Sequence, residues 1–559
     1  MTFAALEDRL KRPSGLLVMT LVATFAVGAV RILMYWGGLP GWDDAAHVYK
    51  VFLMREGQGV FWDTYWYGGS YGAITYGFVY YWLAQFIPGP VLVALASGLL
   101  PLFFYLYQRG AWGIDDVWPS WLFVAVLCMY QANGQDPFLV ALCLAMAGLA
   151  LLAAARPLLA AMLVGLAVFA NPLALFVVGV FLVGDFVGRR TLRRRYLVFA
   201  AWLAPFVVAR VLVGVAFAEP TSYVNEFNQM VLFWSFALAG IALAGLNAVH
   251  PRRPFAILFF TYALIIAASY LTPQSPLGNN VGRFAMVFGI SLLLLLRNDR
   301  LRRLFGVVPL SSIPIILFAL LQLSSAYHHY TNHSDHRATE AGFFAPALAT
   351  AERLYDPDYR VHVVAPRRHW EALFFPKAGF PITRGWYRQA DAIHNGLFYE
   401  GYTASEYLAW LRRMGVEYVF LPEEPLDSWS RNERGILLSS PLFQKVERLD
   451  GWRVFRVPDP QPLIVPLDGG DAHVLEVGHL SVRFVVERPG RFLLKVSYTP
   501  YWELEGGTVS EGAGGFTEMD VPEPGEYELR FDVTWDVVLD QFGLMCEWQN
   551  PGCLGVYEA

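Results

Sequence analysis

The chain has 559 residues, 56% of them hydrophobic and only 16% charged, with a formal net charge of −5 at pH 7. Together with a mean hydropathy of +0.40, this excludes an ordinary soluble enzyme; the net charge itself says nothing about nucleic acid, and no nucleic-acid partner is expected. The apolar runs end near residue 325 and most Asp and Glu follow, so the net charge averages a basic-edged apolar half and an acidic polar half.

Arg9, Lys11 and Arg12 precede the first apolar run, 15–36, in the manner of a signal peptide. That run is long enough to span a bilayer and lacks a small-residue cleavage motif, which predicts an uncleaved first helix. Further spans are predicted at 92–108, 118–132, 137–154, 157–170, 173–187, 196–217, 229–247, 254–271, 282–296 and 306–325, about eleven in all. With a cytoplasmic N-terminus, the inner turns carry Arg109, Arg156, the arginine cluster at 189–195, Arg252, Arg253 and the arginines of 297–303. The outer loops between spans hold only Lys50, Arg55 and Arg283, as the positive-inside rule requires. Merging 157–187 into one helix would put the 189–195 cluster outside, so Asn171-Pro172 is read as a break between two spans.

Residues 37–91 are predicted as one long outer loop with two interfacial helices. Its segment YGAITYGFVYYWLAQFI, 71–87, is apolar but rich in tyrosine. Such amphipathic rings favour lying along the membrane surface over crossing it. After 325 the pattern becomes that of a soluble fold. Strands are expected at 361–365 and 416–422, an amphipathic helix at 404–414 between them, and a hairpin over 445–457 turning at Asp450-Gly451. From about 461 short alternating strands with Pro/Gly turns, at 479–487, 491–498 and 527–534, predict a β-sandwich module.

The expected organisation is a polytopic α-helical membrane domain at 1–325, an α/β domain at 326–460 and a β-sandwich at 461–559. An odd number of spans makes both C-terminal parts extracytoplasmic, on a multi-pass protein of the cell membrane. Cys128 and Cys143 lie in apolar runs and read as small buried hydrophobes. Cys546 and Cys553 flank a turn-rich spacer and form a local disulfide only if that side is oxidising.

Candidate chemistry sits in the outer loops. GWDDAAH, 41–47, follows the first span and supplies Asp43, Asp44 and His47. QANGQDP, 131–137, places Asp136 where the fourth span begins. Carboxylates at the water–lipid boundary can serve as general base or hold a metal ion. The plainer readings are a polar helix start for the first group and, for Asp136 before a proline, a helix N-cap. Arg283 follows Leu-Gly-Asn-Asn at an outer helix mouth. Its guanidinium suits a phosphate, and a snorkelling anchor is the structural alternative. Arg210, mid-span, needs a cavity or an acidic partner. The histidines 328, 329, 333 and 336 with Asp335 read as a solvated linker, and Arg384-Gly-Trp-Tyr-Arg388 is rich in sugar-contacting residue types.

The loop GWDDAAHVYKVFLM with FWDTYWYGGSYGAITYGFVYYWLAQF, and then QANGQDPFLVALCL, resembles the GT-C glycosyltransferases, polytopic enzymes that transfer sugars from polyprenyl-phosphate carriers. The nearest resemblance is to a bacterial group with an Asp-x-x(x)-His signature, labelled as related to 6-pyruvoyl-tetrahydropterin synthase. Where such members often have Pro-Pro in the Tyr-rich segment, this chain has Thr75-Tyr76. The resemblance implies an inverting sugar transfer on the outer face from a polyprenyl-phosphate-linked donor to a cell-envelope glycan, lipid or protein acceptor. Asp43 or Asp44 would be the base, with His47 one turn away to orient Asp43. Asp136 would orient the acceptor or, with Asp43, hold a divalent metal such as Mg or Mn. Arg283, Asn280 and Tyr76 would contact substrate. The rival readings are a transporter or flippase of lipid-linked glycans and a non-catalytic envelope scaffold with a sugar-binding β-module.

Overall fold

In the computed structural model, the structure describes residues 3–189, 194–218, 227–246, 252–272, 277–296, isolated positions between 316 and 331, and 337–542. It divides into two compact units. The first comprises Met1–His47, Tyr76–Arg210 and Thr221–His336; the second Val48–Thr75, Val211–Pro220 and Arg337–Ala559.

The first unit is helical. Each of the apolar runs predicted up to 296 forms its own helix, and Asn171 ends Pro157–Ala170 before Leu173–Arg189 begins. The run at 306–325 lies largely outside the described residues. Among the described residues, 6 helices are long and apolar enough to cross a membrane, from Pro13–Trp36 to Gly278–Leu295. Asp136–Ala153 sits at the centre, flanked by Gly89–Tyr107 and Pro157–Ala170, while Pro13–Trp36 packs on Gly89–Tyr107. Small residues allow these close approaches. A Cβ at Gly148 would stand 2.9 Å from the Ala160 carbonyl oxygen, so only a glycine lets the two helix backbones meet there. The stretch 71–87 contains a single 3-10 turn, Ala73–Thr75, and one short α-helix, Phe78–Ala84, of 7 residues. At about 1.5 Å per residue it falls far short of a bilayer's thickness.

The second unit holds three four-stranded sheets. In one, Arg360–Val363 pairs parallel with Val416–Pro422, which pairs antiparallel with Trp452–Arg456 and, through it, Gln444–Leu449. The parallel pair needs a crossover, and Ala404–Arg413 lies within it. That helix starts at Thr403, whose hydroxyl accepts from the Glu406 N–H while Glu406 reaches back to Thr403, a reciprocal cap. It buries Tyr407, Trp410 and Leu411 against the sheet core.

The other sheets are antiparallel. One is built on Gly490–Ser497 and Phe516–Val521, the other on Ser481–Arg488 and Gly525–Phe531. Alternate residues of both, including Phe484, Val486, Phe492, Leu494, Met519 and Leu529, share one core. Cys546, Cys553 and the histidines of 328–336 lie outside the described residues.

The long outer loop expected at 37–91 is not one body. Its middle, Val48–Thr75, belongs to the second unit. Trp62 and Tyr65 are buried in the shared β core instead of lying on a membrane surface. Beside them Asp63 is wholly buried. It accepts from the Tyr49 hydroxyl at 2.9 Å and stands 2.9 Å from His479 Nδ1 and 3.9 Å from Lys50 Nζ. Burial alone would raise its carboxyl, but His479 and the Lys50 charge hold it below the usual carboxylate range. Asp63→Ala removes the anion from a buried charge pair, which costs about 3–5 kcal/mol. A markedly lower unfolding temperature of the detergent-solubilised protein is the expected outcome, read by near-ultraviolet circular dichroism.

Candidate active site

The structure gathers the candidate residues of the first unit through backbone contact between loops. Gly134 adopts φ +64, and a Cβ on it would stand 2.9 Å from the Asp43 nitrogen. A Cβ on Gly41 would come within 2.4 Å of the Gly134 Cα, so the two glycines let their chains touch. Trp42 N–H donates to the Ala132 carbonyl at 3.3 Å and Asp43 N–H to that of Asn133 at 3.4 Å. These contacts bring the start of helix Asp44–Arg55 beside the start of Asp136–Ala153.

Arg31, inside the first apolar helix, ties the acids together. Its Nη2 donates to Asp44 Oδ1 at 3.0 Å and to Asp136 Oδ1 and Oδ2 at 3.1 and 2.9 Å. Nη1 donates to the Gln131 carbonyl at 3.3 Å. All three side chains are buried. Asp44 is held further by the Gly41 N–H at 2.7 Å. Although burial pushes its carboxyl up, Arg31 and that N–H hold it below the usual range. Asp136 also accepts from the Tyr80 hydroxyl at 3.2 Å. The N-cap reading of Asp136 therefore fails: it is the first residue of its helix, and its oxygens are spent on Arg31 and Tyr80.

Asp43 differs. Its carboxylate is half-buried and, among the described residues, takes part in no hydrogen bond or ion pair. Burial pushes its carboxyl up, Arg283 draws it down, and Asp44 and Asp136 push it up again, to about 7. Arg283 lies over the Phe138 ring at 5.4 Å. Asn280 stands in the turn Gly278–Val281 that leads into the Arg283 helix, and among the described residues its side chain makes no hydrogen bond to the group.

His47 is buried in a tyrosine cluster. Its ring stacks parallel to Tyr76 at 6.3 Å, and its Nδ1 is 3.0 Å from the Tyr81 hydroxyl. Burial drives its imidazole down to about 3, so it is neutral. The expectation that it orients Asp43 is thus corrected: Tyr81, not Asp43, takes its Nδ1. A divalent metal on Asp43 and Asp136 does not fit this arrangement. It would have to displace Arg31 from Asp136, and among the described residues no group of three His, Cys, Asp or Glu is arranged to hold one.

Arg31 escaped the sequence reading, although a signal was present. An arginine inside an otherwise apolar span is costly unless a partner neutralises it. Tyr80 and Tyr81 were masked by their tyrosine-rich setting.

No protein-family model matches the chain, and no curated protein matches it in sequence. Among solved structures it is similar to the oligosaccharyltransferase of Archaeoglobus fulgidus in the apo form, at 12% identity and a TM-score of 0.43 over 74% of this chain and 70% of that one. The archaeal oligosaccharyltransferase AglB from Archaeoglobus fulgidus, in complex with an inhibitory peptide and a dolichol-phosphate, gives 12% identity and a TM-score of 0.41 over 73% of this chain and 69% of that one. The oligosaccharyltransferase of the apo structure, in complex with Zn and sulfate, gives 12% and 0.41 over 72% and 68%. Likenesses at this level are too weak to carry an inference about chemistry.

Arg31→Met leaves Asp44 and Asp136 buried beside each other without a cation. A loss of about 3–5 kcal/mol is expected, visible as a lower unfolding temperature in detergent. Asp44→Asn in the Arg31→Met background should recover part of it, since one of the repelling charges is gone.

Proposed function

We propose that the chain is a polytopic membrane glycosyltransferase of GT-C type. It would move a sugar from a polyprenyl-phosphate donor to a cell-envelope glycan, lipid or protein acceptor. In this reading about eleven spans carry a cytoplasmic N-terminus, and the α/β domain at 326–460 and a β-sandwich at 461–559 face outward. One observation carries the reading: of the neighbouring acids, Asp44 and Asp136 are committed to Arg31, while Asp43 keeps an unengaged carboxylate within the field of Arg283.

The chemistry follows from that division of labour. Asp43 takes the proton of the acceptor hydroxyl as its oxygen attacks the anomeric carbon from the face opposite the phosphate. The bond between anomeric carbon and phosphate oxygen breaks, and its electron pair leaves with the polyprenyl phosphate. The product carries inverted configuration, and the departing phosphate charge is met by Arg283, whose planar fork suits it. The base needs no further activation, because a carboxyl near 7 is matched to proton abstraction at neutral pH. Asp44, Asp136 and Arg31 position the loop that presents Asp43, and Tyr76 with His47 forms one wall of aromatic rings beside it.

Asp43→Asn should lower transfer from a polyprenyl-phosphate sugar donor by about 10²–10⁴-fold while leaving folding intact, measured on the purified protein in detergent. In the wild type only the unprotonated carboxylate accepts a proton, so kcat/KM should rise with pH through about 7 and level off above it. Arg283→Ala should weaken donor binding as well as turnover. Full activity of Asp43→Asn would end this assignment of the base.

A further inference from the structure

The second unit contains a cleft of about 360 Å³, a volume within the roughly 300–1,000 Å³ of small-molecule sites. Tyr71, Tyr498 and His394 present half-buried rings to it, Ser497 lies between strand and tyrosine, and Arg413 is exposed at its edge. Among the described residues that line it there is no Asp or Glu. Glu511 acts on Tyr498 from beside the cleft. Arg413 makes no hydrogen bond or ion pair with a described residue, and burial alone lowers its guanidinium's pKa.

Behind the wall lies more uncompensated positive charge. Arg360 is buried and donates through Nη1 to the carbonyl of Met414, a residue of the cleft, at 3.0 Å. Its Nε and Nη2 have no hydrogen-bond partner. Nη2 would lie 3.3 Å from a Cβ on Gly68, next to the cleft residue Gly69. Lys495, also buried, donates to the carbonyls of Arg412 and Gln461 at 2.7 and 3.3 Å. Burial and the nearby Arg360 push its ammonium down to about 7, with no carboxylate acting against them. A buried guanidinium and a buried amine that is about half protonated at neutral pH behind the wall, with an exposed guanidinium at the rim, favour an anion in the cleft.

The flanking rings restrict which anion. A pyranose offers an apolar face of C–H bonds to an aromatic ring and hydroxyls to polar neighbours, and a uronic acid adds a carboxylate. Ala218, on the cleft wall, follows by two positions a helix long and apolar enough to cross a membrane, Arg194–Ala216. We propose that this cleft binds an acidic saccharide, with Tyr71 and Tyr498 against the ring faces and Arg413 on the carboxylate. The saccharide class rests on the glycosyltransferase reading; the cleft and its charge do not.

The test uses the full chain in nanodiscs of phosphatidylcholine, titrated calorimetrically with trigalacturonate and with neutral galactotriose. Trigalacturonate should bind about tenfold or more tightly than galactotriose, a margin expected of a charge-assisted hydrogen bond. Arg413→Ala should abolish that preference, and Tyr498→Ala should weaken both ligands while circular dichroism stays unchanged. Asp43→Asn should bind as the wild type does, so a failure of catalysis and a failure of this site are told apart. Equal or absent binding of the two trisaccharides would overturn the proposal, as would a preference that survives in Arg413→Ala. Loss of trigalacturonate binding in phosphatidylglycerol nanodiscs, relieved by Arg413→Ala, would instead assign the cleft to lipid headgroups and overturn it too.

Discussion

The helical unit depends on a guanidinium placed where hydrocarbon would otherwise surround it. Arg31 lies in a helix whose other residues around it are Gly, Ala, Val, Ile and Leu. Its charge is tolerable there because Asp44 and Asp136 meet it within 3.1 Å. In return the cation lets two acids sit side by side in a buried place. Neither half of this arrangement is stable without the other, and the contact of Gly41 with Gly134 sets the spacing at which both can exist.

That mutual dependence gives the neighbouring carboxylate its character. Were Arg31 shared among three acids, all would be ionised and hydrogen-bonded, and none would be disposed to take a proton. With Arg31 committed to Asp44 and Asp136, the Asp43 carboxyl is raised first by burial, drawn down by Arg283 and pushed up again by its two acidic neighbours. The arrangement follows a recurrent pattern in which similar groups acquire different duties from different surroundings.

Much of this was legible in the sequence, because the rules involved are local. Helix ends fell where Pro, Gly and Asn sit, as at Asn171, and the strand Val416–Pro422 followed from its apolar run bounded by Gly415 and acidic residues. Asp43, Asp44, His47 and Asp136 stood out as ionisable groups flanking apolar runs, and the structure places them together. What was not legible required long-range knowledge. Arg31 lies only 5 positions before the end of its helix at Trp36, where an arginine serves equally well as an anchor at the membrane boundary, and only Asp44 and Asp136 from other segments reveal its pairing. Trp62 and Tyr65 are equally at home at a membrane surface or in a β core, and only the presence of Phe484, Leu494 and Leu529 across from them decides it. The role of His47 was misjudged for a related reason: spacing along a helix reports proximity to Asp43, but not the closer hydroxyl of Tyr81 contributed from another segment.

The Arg31 partnership also sets conditions on biosynthesis. Arg31 and Asp136 are 105 positions apart, so at about 5–20 residues per second the first helix leaves the ribosome several seconds before its partner. During that interval the cation has to be accommodated without Asp136. Its place just over one turn before the helix end at Trp36, about 8 Å along the axis, lets the side chain extend to the headgroups while it waits. Asp44 follows Arg31 by only 13 positions, so the cation meets its first acid almost at once and gains the second when the distant Asp136–Ala153 docks, which joins a local pairing to a long-range one through a single side chain.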